Sequence, residues 1–250
     1  MPWSRPKIGV VWFSCQRDFG TLLLSIRSVR HHHPDARCLV ISDQRRGLDP
    51  DMISQLHAID VQTRNGTYHG GNLRGLPCVA SIVDTLRSEL ASHDLDTVLK
   101  IDSDTAWLHQ RVLIPDGRFG EFAQMGSFSG MFQGRWPWCS GGAYFVNRSA
   151  LEILPVGQAE TERALLAMDR ARGGRYSGSW NEDQSVSALI DHRGGHLICW
   201  KKAAFSRWGF RAQEPDLGYD FLEFGERHMV PTMAEVERAM EWHLDAAGIS

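Results

Sequence analysis

Short apolar runs alternate with longer amphipathic stretches through the first part of the chain, and this alternation restricts the fold more than any other feature. Ile8 to Phe13 is strand-like, and the stretch after it carries apolar residues at helical spacing and ends at Pro34. Cys38 to Ile41, His57 to Thr63 and Thr97 to Ile101 are again strand-like. Repeated strand and helix units predict an α/β fold: a mostly parallel central sheet with helices on both faces and ligands at the carboxyl ends of its strands.

The second half is more mixed, and its length supports one large core or a core with a smaller lobe. A last helix is expected to begin at Pro231, because proline suits a first helical turn. Gly173 and Gly194 are expected to cap two helices. The further strands are predicted near Phe122 to Phe128, Gly142 to Val146 and Leu197 to Trp200, and the further helices near Glu160 to Arg172 and Asp183 to His192.

Charge, cysteine content and hydropathy restrict the class of protein. The formal net charge is -3, so no overall attraction to nucleic acid or to an anionic membrane is expected. No apolar stretch is long enough for a signal peptide or a membrane span. The 5 cysteines are far apart and form no CxxC pair, which favours a reducing compartment and hence a cytoplasmic location.

Two carboxylates follow the strand that ends at Ile101. Asp102 and Asp104 are two residues apart, so both can face one hard cation such as Mg²⁺ or Mn²⁺. A solvated turn is the alternative, because aspartate is common in turns. Asp94 and Asp96 have the same spacing but precede the strand, at the edge where such sheets rarely bind ligands. They therefore serve as an internal control, and the second pair is favoured.

An aromatic and glycine-rich segment runs from Trp136 to Val146. Its adjacent glycines, Gly141 and Gly142, allow a ligand to approach the backbone, and the indole of Trp138 can stack on a sugar ring. A bulge with core aromatics is an equally plain interpretation of this segment alone.

Two acids, Glu182 and Asp183, stand immediately before a helix with an apolar face. An acid in this position is either a partner of the helix dipole or N-cap, or, beside a bound substrate, a general base.

Taken in order, Lys100 to Asp104, Trp136 to Val146 and Glu182-Asp183 resemble the β-1,3-galactosyltransferase and fringe-like glycosyltransferases. The resemblance implies a Rossmann-like GT-A fold and a nucleotide-sugar donor, commonly a UDP-sugar. It also implies Mn²⁺ or Mg²⁺ held by Asp104 with help from Asp102, and inversion at the anomeric carbon with Asp183 as the base. Gln184 to Ser187 departs from the family pattern, the chain is short and the usual membrane anchor is missing, so acceptor, donor sugar and linkage stay open.

A histidine near the C-terminus often completes the metal site in GT-A enzymes, and His228 is the best match. His196 is a weaker competitor because it opens an apolar strand, and His228 as a surface residue is the plain alternative. Arg74 could reach a diphosphate and Lys100 could balance the acidic cluster, although a structural salt bridge would explain either cation equally well. The candidate donor-binding residues are Ser14, Asp43, Arg74, Lys100 and Ser103, and the candidate acceptor or sugar contacts are Trp138, Gly141, Gly142 and Glu182.

The sequence hypothesis is thus one domain over residues 1–250, with a nucleotide-binding half over about 1–104 and an acceptor-binding half over about 105–250. Its function is metal-dependent sugar transfer to a hydroxyl acceptor. The alternatives are a retaining transferase, an enzyme acting on modified DNA and a non-catalytic nucleotide-sugar binding protein. A saccharide or small acceptor is favoured, while the basic run from Arg27 to Arg37 leaves a modified nucleic acid possible.

Overall fold

The computed structural model describes residues 6–66, 73–109, 124–127, 130–133, 136–139, 142–174, 180–199, 203–205, 217, 221–224 and 232–250. Twelve strands and seven α-helices are formed by these residues. The strands are β1 (Ile8–Ser14), β2 (Arg37–Ser42), β3 (Val61–Asn65), β4 (Thr97–Ile101), β5 (Thr105–Trp107), β6 (Gln124–Ser127), β7 (Gly130–Gln133), β8 (Trp136–Cys139), β9 (Ala143–Asn147), β10 (His196–Cys199), β11 (Ala203–Phe205) and β12 (Phe221–Glu223). The helices are α1 (Phe19–His32), α2 (Pro50–Ala58), α3 (Leu76–His93), α4 (Arg148–Glu152), α5 (Gln158–Ala171), α6 (Glu182–His192) and α7 (Met233–Ala246).

The central sheet has seven strands in the order β10-β6-β9-β4-β1-β2-β3. β3, β2, β1 and β4 run parallel to one another, and β10 runs parallel to β6, whereas β9 runs antiparallel to both β4 and β6. The predicted α/β architecture with a mostly parallel sheet is therefore confirmed. Two further sheets are separate from it: a three-stranded sheet in the order β11-β12-β5, and an antiparallel pair formed by β7 and β8.

The central sheet is covered on both faces, and most of the side chains of its inner strands are apolar and buried. One core packs α3, α5 and α6 against residues such as Val11 and Val98. The other packs α1 and α2 against Val10 and Leu99. A third core joins α7 to the small sheet through residues such as Leu222 and Met240. The predicted helices on both faces are thus present.

Most strand predictions in the first half hold, but the third was wrong in its bounds. His57 lies in α2, and β3 begins only at Val61. The cause is a helix start: the Asp49 side chain accepts a hydrogen bond from the Met52 N–H, and Pro50 occupies the first turn. The helix therefore takes residues that the apolar pattern alone assigned to a strand.

Helix ends follow local chemistry closely. Gly173 and Gly194 have φ of 81° and 85°, which confirms the two predicted glycine caps. The last helix, α7, begins at Met233, and Thr232 and Glu235 form a capping box before it. Pro231, where the start was predicted, lies outside the described residues. Among the helices that the structure describes, none is long and apolar enough to span a membrane.

Candidate functional site

A tight turn carries Asp102 and Asp104 from the end of β4 into β5. The Thr105 N–H donates to the Asp102 carbonyl at 3.1 Å, which closes the turn. The Asp102 N–H donates to the Gly142 carbonyl at 2.8 Å, and the Phe224 N–H donates to the Asp104 carbonyl at 2.8 Å. The turn is thereby fixed to the start of β9 on one side and to the end of β12 on the other.

Three carboxylates converge at this turn. Asp102, Asp104 and Glu223 each offer an oxygen, and these oxygens all lie within 4.8 Å of one another. Glu223 ends β12, where it pairs with Thr105 in antiparallel register. A Cβ atom at Gly142 would lie 2.4 Å from Oε2 of Glu223, so the glycine makes room for this carboxylate. Glycine at position 142 therefore shapes the carboxylate cluster itself.

The donor set fits a hard divalent cation. Burial first, and then the charges of Asp102 and Asp18, raise the pKa of Asp104 to about 7, because desolvation and repulsion both disfavour its charged form. A cation among the three side chains would remove that repulsion, and carboxylate oxygens are the ligands that Mg²⁺ and Mn²⁺ prefer. Sequence reasoning missed Glu223, since an acid ending a three-residue strand carries no local signal. His228, the third ligand predicted instead, lies outside the described residues.

Lys100 lies directly beneath the turn, with 1% of its side chain exposed. Its ammonium is 2.5 Å from Oδ1 of Asp102 and 3.5 Å from Oε2 of Glu182. Burial on its own would lower the pKa of Lys100, but the charges of Asp102 and Glu182 outweigh it and raise the pKa. Lys100 was predicted as a donor contact. Its ammonium faces two protein carboxylates, as expected of a cation that balances the acidic cluster, and the donor contact stays a prediction.

Glu182 is also buried, with 5% of the residue exposed. The Tyr144 hydroxyl donates a hydrogen bond to Oε1 of Glu182, and Lys100 faces Oε2. Burial raises the pKa of Glu182 to about 7 although Lys100 opposes the shift, so desolvation outweighs the ion pair. The carboxylate of Glu182 is thus held by Tyr144 and Lys100, and the acceptor contact predicted for it stays a prediction.

Asp183, the next residue in the first turn of α6, is only half-buried. Its Oδ1 accepts a hydrogen bond from the Gln184 N–H at 2.8 Å, an interaction expected of an acid at a helix N-terminus. Its charge also raises the pKa of Lys100, so the two groups are near enough to interact. Of the two adjacent acids, Asp183 is thus the more exposed.

The segment before α3 pairs with the segment before α6. The Gly75 N–H donates to the Trp180 carbonyl at 2.9 Å, and the Glu182 N–H donates to the Leu73 carbonyl at 3.2 Å. Arg74 and Asn181 face each other between these bonds. The exposed Arg74 therefore lies beside the start of α6, and its role toward a diphosphate stays a prediction.

Ser14 ends β1 and Asp43 directly follows the neighbouring β2, which agrees with their predicted positions near strand ends, and both are 2% exposed. The Asp43 N–H donates to the Ser14 carbonyl at 2.9 Å. Oδ1 of Asp43 accepts from the N–H groups of Arg45 and Arg46 at 2.7 and 3.0 Å, so this oxygen stabilises its own turn. Ser103, in the turn itself, is 7% exposed. Donor contacts by these three residues stay predictions.

The aromatic and glycine segment is described only in part. Trp138 lies in β8, opposite Met131 of β7. Gly141 lies outside the described residues, and the contact predicted for the Trp138 indole stays a prediction. Gly142 lies beside the turn, and because it has no side chain it leaves room for the carboxylate of Glu223.

The internal control, Asp94 and Asp96, lies at the other end of β4. Asp96 accepts from the Lys7 N–H at 2.8 Å, and Asp94 forms ion pairs with Lys7 and Arg148. Both acids thus have partners of their own at the opposite edge of the sheet. This confirms the difference in position on which the choice of Asp102 and Asp104 rested.

Three arginines of the basic run, which extends from Arg27 to Arg37, contact other parts of the protein. Arg30 donates to three backbone carbonyls, those of Pro34, Ala36 and Asp60. Arg37 is paired with the buried Glu89 at 3.0 Å, and Arg27 lies 3.5 Å from Asp245. These guanidinium groups hold helix ends and strands together, which weakens the case for a nucleic-acid contact face.

No protein-family model matches the chain, and no curated protein matches it in sequence. Solved structures do match its fold. A glycosyltransferase involved in the glycosylation of the major capsid of PBCV-1 is 11% identical, with a TM-score of 0.51 over 94% of this chain and 99% of its own. The galactosyltransferase LgtC, in complex with donor and acceptor sugar analogs, is 13% identical, with a TM-score of 0.50 over 96% of this chain and 95% of its own.

At such low identity the likeness shows the fold, which is the GT-A arrangement of these glycosyltransferases. Both matches extend over nearly the whole of this chain. The narrower resemblance to the β-1,3-galactosyltransferase and fringe-like family stays a prediction.

Proposed function

We propose that this chain is a metal-dependent glycosyltransferase that moves a sugar from a nucleotide diphosphate donor, a UDP-sugar, to a hydroxyl acceptor with inversion. The observation that carries the proposal is the convergence of Asp102, Asp104 and Glu223 at the carboxyl end of β4. Ligands of open α/β sheets bind at this edge. The fold is shared with two glycosyltransferases, which supports the same chemistry here.

The three carboxylates would hold Mn²⁺ or Mg²⁺. When bound, the ion supplies positive charge that stabilises a departing diphosphate. Asp102 and Asp104 are fixed by the backbone hydrogen bonds of their turn, and Glu223 by its pairing with Thr105. The chain thereby offers a preorganised site, which is the main way that such an enzyme lowers its barrier.

Asp183 is the proposed general base. It would accept the proton of the acceptor hydroxyl while that oxygen forms a bond to the anomeric carbon and the bond from this carbon to the diphosphate oxygen breaks. Its partial exposure at the start of α6 supports this role, whereas the buried Glu182 is excluded from it by its partners. One displacement inverts the anomeric configuration.

The acceptor is proposed to be a saccharide or another small hydroxyl compound. Net charge is -3, and the arginines of the basic run are engaged within the fold. A nucleic-acid acceptor would require a basic surface to neutralise its phosphates.

Incubation with a panel of nucleotide sugars, Mn²⁺ or Mg²⁺ and candidate acceptors tests the proposal. We expect nucleotide diphosphate release that needs both metal and acceptor, and a product of inverted configuration by NMR. Retained configuration would replace the base mechanism by a retaining one. Tight donor binding without turnover under any condition would contradict an enzymatic role.

A further inference from the structure

One buried cation links the carboxylate cluster to the start of α6. Lys100 lies on β4, next to Tyr144 of β9 in the sheet register. Its ammonium contacts Asp102 from the metal-binding turn and Glu182 from α6, two elements that are far apart in sequence. Tyr144 completes the group, because its hydroxyl binds Glu182 and its ring centroid lies 5.7 Å from Nζ of Lys100.

The contact with Lys100 determines how Asp102 is presented. Oδ1 of Asp102 is 2.5 Å from Nζ, so the ammonium fixes the orientation of the carboxylate that joins the cluster with Asp104 and Glu223. The side chain is 1% exposed, and a lysine in such a position has little freedom to move away. Oε2 of Glu182 lies 3.5 Å from the same ammonium.

We infer that Lys100 is a positioning residue that orients Asp102 for the metal. Because Lys100 also contacts Glu182, metal affinity depends on the first turn of α6, the helix that carries Asp183. This inference rests on the metal site of the proposed function. If Glu182 is neutralised, the full charge of Lys100 acts on Asp102, and the attraction of Asp102 for a cation falls. A residue that touches no metal would then change metal affinity.

The test is a double-mutant cycle on the full chain, with Mn²⁺ alone as the probe, titrated by calorimetry in alkaline buffer. Glu182→Gln is expected to weaken Mn²⁺ binding by about two- to tenfold, a range that contacting groups reach in such cycles. In a Lys100→Met background, Glu182→Gln should not change Mn²⁺ affinity. In a Lys100→Arg background, which keeps the positive charge, Glu182→Gln should again weaken Mn²⁺ binding, although by less than in the wild type.

Glu89→Gln is the matched control. Glu89 is also buried, with 2% of its side chain exposed, but its partners are Arg37, Arg64 and His93. We expect Glu89→Gln to lower the melting temperature and to leave Mn²⁺ affinity unchanged. If the role of Lys100 were purely structural, Glu182→Gln and Glu89→Gln should have the same effects on melting temperature and on Mn²⁺ affinity, because each neutralises one buried carboxylate.

Equal effects of the two glutamine variants, or an effect of Glu182→Gln that persists without Lys100, would overturn the inference. If Lys100→Met does not fold, the comparison of the two glutamine variants decides alone. Mn²⁺ binding that depends on Asp104 without any sugar transfer would refute the proposed function and leave the role of Lys100 standing. No Mn²⁺ binding by the wild-type chain would overturn both the metal assignment and the role of Lys100.

Discussion

Asp104 is the residue at which metal dependence is tested most directly. Asp104→Asn should abolish metal-dependent activity while the protein still folds, because the substitution removes one ligand and also relieves repulsion with Asp102 and Asp18. Initial rates over a Mn²⁺ titration and the melting temperature report the two effects. Asp96→Asn, at the opposite edge of the sheet, should keep most activity. Full activity of the wild type in excess chelator would refute metal dependence.

Asp183 is expected to act in turnover and not in donor binding. Asp183→Asn should lower kcat by about 100-fold or more, the usual scale for loss of a general base, and keep metal-dependent binding of the nucleotide sugar. Calorimetry and initial rates separate the two. Asp191→Asn, near the end of the same helix and paired with Arg172, is the control and should remain active. Unchanged turnover in Asp183→Asn would leave it a helix-terminus partner only.

Glu182 gives a prediction for the pH dependence of stability. Its pKa is raised from the ordinary 4.5 to about 7 in the folded state, so between these two pH values the folded state keeps a proton that the unfolded state has lost. Its stabilising contribution is complete below the unfolded pKa and is lost as pH rises through the folded pKa. The free energy of unfolding, measured with urea, should fall between about pH 5 and about pH 8, and it should fall less in Glu182→Gln than in the wild type. An identical fall would contradict the raised pKa.

At the scale of elements, α1 supports the turn that carries Asp102 and Asp104. The Ser25 hydroxyl accepts from the Trp12 indole N–H at 2.9 Å and donates to the Asp102 carbonyl at 3.4 Å. The Ser28 hydroxyl accepts from the Trp107 N–H at 3.0 Å. Two hydroxyls on one helix face thus fix the backbone on both sides of β5.

Ser25→Ala should consequently lower the free energy of unfolding by about 1–3 kcal/mol, since it leaves the buried Trp12 N–H without this acceptor. Asp102 should also become less well placed, so the Mn²⁺ concentration for half-maximal activity should rise. Ser54→Ala removes an exposed helix hydrogen bond to Pro50 and should change stability by less than about 0.5 kcal/mol. Equal losses in the two variants would contradict a special role for Ser25.

At the scale of the whole molecule, net charge gives a test of acceptor class. For a saccharide or small acceptor, the Michaelis constant should change little between about 50 and 200 mM salt, whereas a nucleic-acid acceptor would lose affinity steeply over this range. Trp138→Ala should raise the Michaelis constant for a saccharide, because stacking on the indole would be lost. A steep salt dependence that Arg27 and Arg30 substitutions flatten would overturn the preference for a small acceptor.

The sequence by itself determined the α/β architecture and the edge of the sheet that carries the site. Apolar periodicity and helix signals are local, and in parallel strands they imply where ligands bind. Asp102, Asp104 and Asp183 could therefore be singled out from their places at a strand end and a helix start. The α2 boundary was missed because the cap at Asp49 outweighed the apolar pattern.

Only the tertiary structure decided which side chains face the site and which support it. Glu223 joins the cluster because β12 pairs with β5, and pairing between strands far apart in sequence leaves no local mark. Lys100 and Glu182 turn inward because β4, β9 and α6 enclose them together, and burial of a charge depends on partners that several elements supply. The sequence thus identifies the groups that can do chemistry, whereas packing decides which of them a substrate can reach.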